Sequence, residues 1–526
     1  MKNSKLWKIL YTLIFLVQLA AEAITLTAIL RLKMLPTRYA VLVVAAFVLG
    51  LLITALLLFI RPRKGKRAIG RRIIACLLAL AIAAGSIFGY TVADKVHDTM
   101  TSITDTGDKE QTGETRQIFV LADDPAQTLM DARDYTFGMV ENYDITCTQG
   151  ALAYMEQELN QPIKIAAYTS IYEMVDALYA GDCDAILLNG GYVSILADTE
   201  QYMDFMDRTR ILCDVPVMEL TPPQNSEQPN VQKPDDSTAP TDPVQTTEPT
   251  EPEGPLDVTE DPFIMYISGS DTRAYRLSRG NSDVNILVVV NPKTKQILMV
   301  NTPRDYYIPN PAGDGALDKL THCGIYSIDC SIQALSDLYG IEVDYYSQIN
   351  FTGFERLVDA VGGVVVNSPV GFTVGDVTIN KGLNYLGGKE ALVFARDRHH
   401  MPGGDNGRGQ NQMKVIEAII EKATSGTTII TNYAQILESL QGLFVTSMEM
   451  EEISSLVRMQ LDDMAEWNIQ RYAVTGENGR AITYSIPGLY ASVMYQDDGR
   501  VAYGTELIER VMAGQVLTDE DVKYPG

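Results

Sequence analysis

The chain has 526 residues, 46% of them apolar and 21% charged, and a formal net charge of −25. That length exceeds one ordinary domain, the apolar share can supply several cores, and the acidity excludes nucleic acid as a partner. The charge is unevenly placed: residues 1–92 carry 13 Lys/Arg against one acid, Glu22, for +12, and the remaining residues sum to −37.

The basic head contains three apolar runs. Residues 9–30 are interrupted by Gln18 and Glu22, whereas 39–60 and 73–90 hold no charge. A helix crosses the hydrocarbon core with about 20 apolar residues, so three transmembrane helices are predicted. A cleaved signal peptide is a poorer account of the first run, given its internal acid and the two spans that follow. Lys2, Lys5 and Lys8 precede the first span. Arg61, Arg63, Lys64, Lys66, Arg67, Arg71 and Arg72 lie between the second and third, but only Arg31, Lys33 and Arg38 between the first and second. Positive-inside counting places the amino terminus in the cytoplasm and everything after residue 90 outside, in a multi-pass protein of the cell membrane. Glu22 is expected to face neighbouring helices.

A juxtamembrane connection is expected over 93–116, followed by an α/β module over 117–218. Residues 164–168 and 185–188 read as strands, and 171–179 as a helix stopped by Gly181. The order "YTFGMVENYDIT", a helix, then "MVDALYAGDCDAILLNGGYVSIL" resembles one lobe of a type 2 periplasmic solute-binding protein. A packing or docking module fits these residues equally well. Residues 219–262 hold ten prolines, eleven acids and one base, Lys233. Such a segment cannot bury enough surface to offset chain entropy, and a disordered linker is expected.

Beyond the linker, 285–290 and 296–301 are apolar runs joined by "NPKTK", a predicted hairpin. Ile328, Ile332, Leu335 and Leu338 recur at helical spacing before Gly340. Phe354, Leu357, Val358 and Val361 mark another helix, followed by the strand "GGVVV", and a third helix begins near Arg408 and buries Ile416, Ile419 and Ile420. The predicted fold is an α/β sandwich with a mixed central sheet over 263–426, extended by residues 427–526.

Polar residues gather where these elements end. Asp271 and Arg273 lie in "GSDTR", Asp283 opens the first core strand, and "PRD" (Pro303, Arg304, Asp305) closes the next. Lys319 follows in "DKLTHCG". Arg396 and Arg398 in "ARDRHH" share one side if that stretch is extended. Arg408 and Gln412 share a face at a helix start, where free amides favour anions. Two acids, four arginines and a lysine suit a pyrophosphate with a divalent metal, because carboxylates hold a hard cation and guanidinium forks grip phosphate oxygens. Ordinary surface ion pairs would give the same spacing.

The stretch "GSDTR…SDVNILVVVNPKTKQILMVNTPRDYYIP…DKLTHCGIYS…VDAVGGVVV…ARDRH…GDNGRGQNQMKVI" resembles the LytR-CpsA-Psr family of bacterial cell-wall enzymes, over about residues 264–421. The resemblance implies a Mg²⁺-dependent phosphotransferase. Its reaction would move an anionic glycopolymer (teichoic acid, capsule or similar) from an undecaprenyl-pyrophosphate carrier to a muramic acid hydroxyl of peptidoglycan. It further implies Asp271 and Asp283 as metal-associated acids and Arg304, Arg396, Arg398 and Arg408 as pyrophosphate-binding arginines, with Arg273, Lys319 and Gln412 as substrate contacts. Two departures stand out. Asn281 occupies a position usually held by arginine, with Arg279 two residues back, and Asn411 replaces an arginine of the family's "RxxRQ" helix. A non-catalytic prenyl-phosphate or wall-polymer binding protein, or a lipid-pyrophosphate pyrophosphatase, would use the same residues. The prenyl tail is expected between the sheet and the helices of Leu335 and Leu357.

Five of the six cysteines, 147, 183, 213, 323 and 330, follow the spans. A Cys323–Cys330 bridge is open, and Cys183–Cys213 is a weaker pairing. With no CxxC or HExxH, a structural zinc site is not expected. His399 and His400 are expected at a polar rim. An amphipathic helix is predicted around 450–461 and a strand near 471–474.

Overall fold

The computed structural model describes residues 2–60, 67–104, 115–141, 145–218, 256–270, 280–425 and 435–525. It opens with helices α1 (Lys2–Arg31), α2 (Thr37–Phe59) and α3 (Arg67–Thr104), each long and apolar enough to cross a membrane. Pro36, immediately before α2, cannot donate to a preceding helical turn, so it separates α2 from α1. At 38 residues α3 is about 57 Å long, nearly twice a hydrocarbon core. Residues 93–104, read as the start of a connection, are therefore continuous helix. Buried polar side chains of α1 are hydrogen-bonded both within that helix and across to α3. Gln18 donates to Glu22 at 2.7 Å, and Thr25 donates to the Ser86 carbonyl at 2.6 Å.

Residues 113–257 contain a compact unit of their own. Its strands are β1 (Thr115–Leu121), β2 (Thr136–Val140), β3 (Lys164–Tyr168), β4 (Ala185–Leu188) and β5 (Thr209–Pro216), in the order β3-β2-β4-β1-β5. Strand β2 runs parallel to β3 and β4, whereas β1 is antiparallel to β4 and β5. The helices are α4 (Ile145–Leu159), α5 (Ile171–Ala180), α6 (Gly191–Asp198) and the single turn α7 (Phe205–Arg208). Ser170 caps α5 by accepting from the Glu173 amide, and Gly181 ends it at φ 78°. Ile118, Val120, Phe137, Met155 and Val215 centre the core.

The C-terminal unit is built on six strands in the order β16-β11-β6-β7-β8-β17. They are β6 (Phe263–Ser270), β7 (Ser282–Asn291), β8 (Gln296–Asn301), β11 (Tyr345–Asn350), β16 (Phe444–Thr446) and β17 (Asn468–Ala473). Two smaller strands, β9 (Tyr307–Asn310) and β10 (Ala316–Lys319), pair beside it. A satellite layer holds β12 (Val364–Ser368), β13 (Phe372–Val374), β14 (Val377–Ile379) and β15 (Gly382–Leu386). The long hairpin β18 (Gly476–Thr483) and β19 (Ile486–Gln496) completes the strands.

Strand alternation distributes the core. Leu287, Val289, Leu298 and Val300 face helices α8 (Leu320–Tyr326) and α9 (Ile328–Tyr339). Ile286, Val288, Ile297 and Met299 face the opposite way, toward Met413 of α12 (Asp405–Thr424). Ser327 caps α9, and Gly340 ends it in the left-handed region at φ 64°, where a side chain would be strained. Helices α10 (Phe351–Ala360) and α11 (Gly388–Arg396) pack with α12 over the satellite strands. Ile416, Ile419 and Ile420 are partly buried, while Met413, Val415 and Ala418 are the fully enclosed side of α12. The chain ends through α13 (Met450–Asp463) and α14 (Asp498–Met512).

This distribution corrects the expected tail slot. Leu335 lies in the core on one face of the sheet, and Leu357 packs in the satellite core with α11 and α12. They line no common channel, because α9 and α10 serve different layers. Neither expected bridge forms: Cys183, Cys213, Cys323 and Cys330 are free thiols. Those of Cys323 and Cys330 are hydrogen-bonded neighbours in the core, and that contact, with burial, pushes Cys323 well above the ordinary thiol range.

Candidate active site at the strand ends

A β-bulge builds the first part of the site. Gly269 pairs with Val284, but Ser270 pairs with Ser282, so Asp283 is left without a partner and its side chain is re-aimed. A side chain at 269 would meet Val284 Cγ2 at 2.6 Å, so the bulge requires glycine. Beneath it, Tyr266 donates to Asn285 Oδ1 at 2.7 Å, Asn285 Nδ2 donates to the Ser282 carbonyl, and Ser268 and Ser282 share a hydrogen bond. These buried, satisfied groups hold the bulge in one conformation.

Arg304 follows β8 and is almost fully buried. Its Nη1 lies 2.7 Å from Asp283 Oδ1, and its Nε 4.0 Å from Asp305 Oδ1. The Thr321 amide donates to the Arg304 carbonyl and the Leu320 amide to that of Tyr306, which brings Lys319 Nζ to 2.9 Å from Asp305 Oδ1. Arg408, in the second turn of α12, sits 2.6 Å from Asp405 Oδ1. Six charged groups thus form one network: Asp283, Asp305, Asp405, Arg304, Lys319 and Arg408. Burial works to raise Asp305, but Lys319, Arg304 and Arg408 outweigh it and hold the carboxyl below its ordinary value. Burial, reinforced by Asp305 and opposed by Arg408, raises Asp405.

Behind Lys319 lies a second buried network. Asp318 accepts from His322 Nδ1 at 2.5 Å, from Asn310 Nδ2 at 2.9 Å, from the Lys319 amide at 2.8 Å and from the hydroxyl of Ser485. The C-terminal hairpin therefore braces the junction of β10 and α8 that carries Lys319.

Gly409 sets how closely α12 approaches β8. A side chain there would meet Asn301 Nδ2 at 2.3 Å. Gly409→Ala is expected to push the start of α12 outward and displace Arg408, costing about 1–3 kcal/mol of stability by overpacking. A lowered melting temperature is the result that checks this.

The expected residues are only partly brought together. Asp283, Arg304, Lys319 and Arg408 converge, and Gln412 is buried one turn beyond Arg408. Asp271, Arg273 and Arg279 lie outside the described residues. The "ARDRHH" stretch is not an extended strand: Arg396 is the last residue of α11, its guanidinium 4.3 Å above the Phe351 ring, and Arg398 is exposed beyond the helix end. His400 pairs with Asp397 at 2.8 Å and stacks on Phe372. Asn411 donates to the Phe394 carbonyl at 3.2 Å, tying α12 to α11. Asp305 and Asp405 were missed as site residues. The PRD triplet, and an acid three residues before Arg408 on a helix, were the available signals. A cavity of about 300 Å³ lies along α12, lined by Val365, Val366, Lys414, Glu417 and Arg471 among others, and holds none of the charged network.

Among the described residues no three potential ligands form a ready metal cage. Mg²⁺ is commonly held by one or two carboxylates completed by substrate phosphates and water. Asp283, 13% exposed at its bulge, fits that kind of donor set.

A sequence profile described as the LytR_cpsA_psr family matches residues 226–496, just over half of the chain. The chain is 33% identical over 199 residues to the polyisoprenyl-teichoic acid–peptidoglycan teichoic acid transferase TagU of Enterococcus faecalis, covering 38% of this chain and 65% of that protein. It is 35% identical over 185 residues to TagU of Oceanobacillus iheyensis, covering 34% and 57%. The chain thus spans less than two thirds of the length of these relatives. Among solved structures, TagT bound to LIIa-WTA is 24% identical with a TM-score of 0.41, covering 50% of this chain and 94% of that one. Bacillus subtilis TagV is 23% identical with a TM-score of 0.41, covering 49% and 99%. Residues 115–218 lie outside the profile match, and their likeness to a solute-binding lobe stays an expectation.

Proposed function

This chain belongs to the LytR_cpsA_psr family, and from that premise we propose that it is a membrane-anchored phosphotransferase. It moves an anionic glycopolymer from an undecaprenyl-pyrophosphate carrier to a muramic acid hydroxyl of peptidoglycan. The observation that carries this reading is the network of Asp283, Arg304, Asp305, Lys319, Asp405 and Arg408 at the strand ends. The names of the TagU relatives, which are teichoic acid transferases, support it.

Arg304 and Arg408 are held by Asp283 and Asp405, which orients their forks before substrate arrives. They and Lys319 grip the pyrophosphate oxygens, with Gln412 and Arg273 as further contacts and Arg396 and Arg398 at the rim. The hydroxyl oxygen bonds to the polymer-side phosphorus and the bridging P–O bond breaks. The lipid phosphate leaves as an anion balanced by the arginines. The hydroxyl proton passes to one of two acids, Asp283 at the bulge or Asp271. Asp283 and Asp271 are the residues that would hold Mg²⁺, and the bound ion would neutralise charge on the phosphates.

Orientation belongs to the same reading. The α1–α2 connection and the distal part of α3 both contact the C-terminal unit, so they lie at one end of the bundle. Positive-inside counting makes that end extracytoplasmic.

The test uses the full chain in lipid nanodiscs with a labelled lipid-pyrophosphate glycan, a peptidoglycan oligomer and Mg²⁺, with a chelator control. Covalent, chelator-sensitive label on the oligomer is expected. Free polymer phosphate would make the protein a pyrophosphatase, and retention of donor without product would make it a binding protein.

A further inference from the structure

The anchor is packed against the C-terminal unit, not merely tethered to it. Residues 91–104 carry α3 about 20 Å past its apolar run. There Val96, Met100 and Ile103 close an apolar seat with Met34 of the α1–α2 turn and with Leu437, against which Phe444, Ile453 and Val457 pack. Arg38, the residue before the second apolar run, donates from Nη2 at 2.6 Å to the carbonyls of both Leu461 and Asp462. These belong to the last turn of α13, whose carbonyls have no helical partner and favour a cation. Lys33 pairs with Glu451 at 2.6 Å and Lys95 with Glu438 at 2.9 Å. Exposed pairs of this kind add little energy, so the seat and the Arg38 cap hold the contact.

Strand register places this seat relative to the site. Phe444 pairs with Ile349, Ile349 with Gly269, and Gly269 with Val284, the neighbour of Asp283. Three strand spacings separate Phe444 from Val284, about 14 Å. Both lie at the end of the sheet where the charged network opens. Phe351, which carries Arg396 above its ring, follows β11 directly at that same end. Because α3 is helical from its apolar run to the seat, no joint separates span from seat.

We propose that this seat is a positioning device: Arg38, Met34, Val96, Met100 and Ile103 hold the phosphate-binding strand ends at the membrane surface. The site thereby selects pyrophosphate head groups carried on bilayer lipids over the same groups free in solution. The identity of the reaction rests on the reading of the preceding subsection; the selection is an added claim about this chain.

The test compares two donors of one glycan on the full chain in nanodiscs: an undecaprenyl-pyrophosphate donor embedded in the disc and a short-chain, water-soluble pyrophosphate donor. Arg38→Glu with Met100→Asp is expected to lower transfer from the embedded donor at least tenfold and to leave the soluble donor within twofold. Amide exchange across residues 450–463 should rise. Arg38→Glu alone, at a half-exposed side chain, should move both readouts the same way without disturbing the apolar seat, and Arg38→Lys should restore much of the loss. Equal loss with both donors, or no loss with either, overturns the positioning role. Wild-type protein that transfers from neither donor overturns the transferase reading, and this role with it.

Discussion

Replacing Arg304 with alanine is expected to lower glycopolymer transfer by about 10²–10³-fold, the usual cost of removing one preorganised electrostatic contact, about 2.7–4 kcal/mol of barrier. Arg304 is almost fully buried, touches Asp283 at 2.7 Å and lies beside Asp305. The same fork that would hold phosphate therefore also aims the acid proposed for metal and proton. Arg304→Lys keeps the charge but loses the planar fork, so it should recover only part of the rate. Lys319 still balances Asp305 in either variant, so the unfolding transition should remain cooperative. Single-turnover transfer rates beside a thermal melt check this. A wild-type rate in Arg304→Ala would remove the network from the chemistry.

Asp318→Ala should produce the largest loss of stability. The carboxylate is completely buried and serves His322, Asn310, Ser485 and the Lys319 amide at once. Removing one member of such a buried set typically costs about 3–5 kcal/mol, or roughly 10 °C in melting temperature for a unit of this size. Burial pushes this carboxyl up, but His322, Ser485 and Asn310 outweigh it and hold it below its ordinary 3.8. A depressed folded-state value means the stabilisation is complete above pH 3.8 and is lost as pH falls through the folded value. Melts from pH 7 down to 3 should show wild-type stability falling at the acid end, and a flatter profile for the variant. Because Asp318 braces Lys319, transfer at a permissive temperature should also drop.

Much of this fold was legible because local signals agree with tertiary demand. Strands 164–168, 185–188 and 296–301 occupy the predicted residues, and Gly340 ends α9 as its turn chemistry requires. The three spans were readable from length and apolarity, although residues 93–104 hold too few apolar groups to announce that α3 continues. The site was legible as a set of residue types and less so as a geometry. No periodicity shows that Ser270 pairs with Ser282 and leaves Asp283 at a bulge. Asp405 looks like a loop acid until α12 is placed, and its pairing with Arg408 then adds a negative charge to the pocket. The same applies to the anchor seat. Val96, Met100 and Ile103 have helical spacing, but their partners in the C-terminal unit, from Leu437 onward, are more than 330 residues away in sequence.

An acidic chain acting on an anionic polymer is no contradiction once charge is resolved locally. The described network holds three acids and three bases, so it is locally balanced although the chain as a whole is strongly acidic. Asn411, expected at a position the family fills with arginine, donates to the Phe394 carbonyl and so ties α12 to α11.

A pyrophosphate site at the strand ends is open to measurement by equilibrium binding. Calorimetric titration of the full chain in detergent, with Mg²⁺, would compare farnesyl pyrophosphate with farnesyl monophosphate. At least tenfold tighter binding of the pyrophosphate is expected, with loss of that preference in Arg408→Ala. Equal affinity for the two ligands, or a preference untouched by Arg408→Ala, would contradict it.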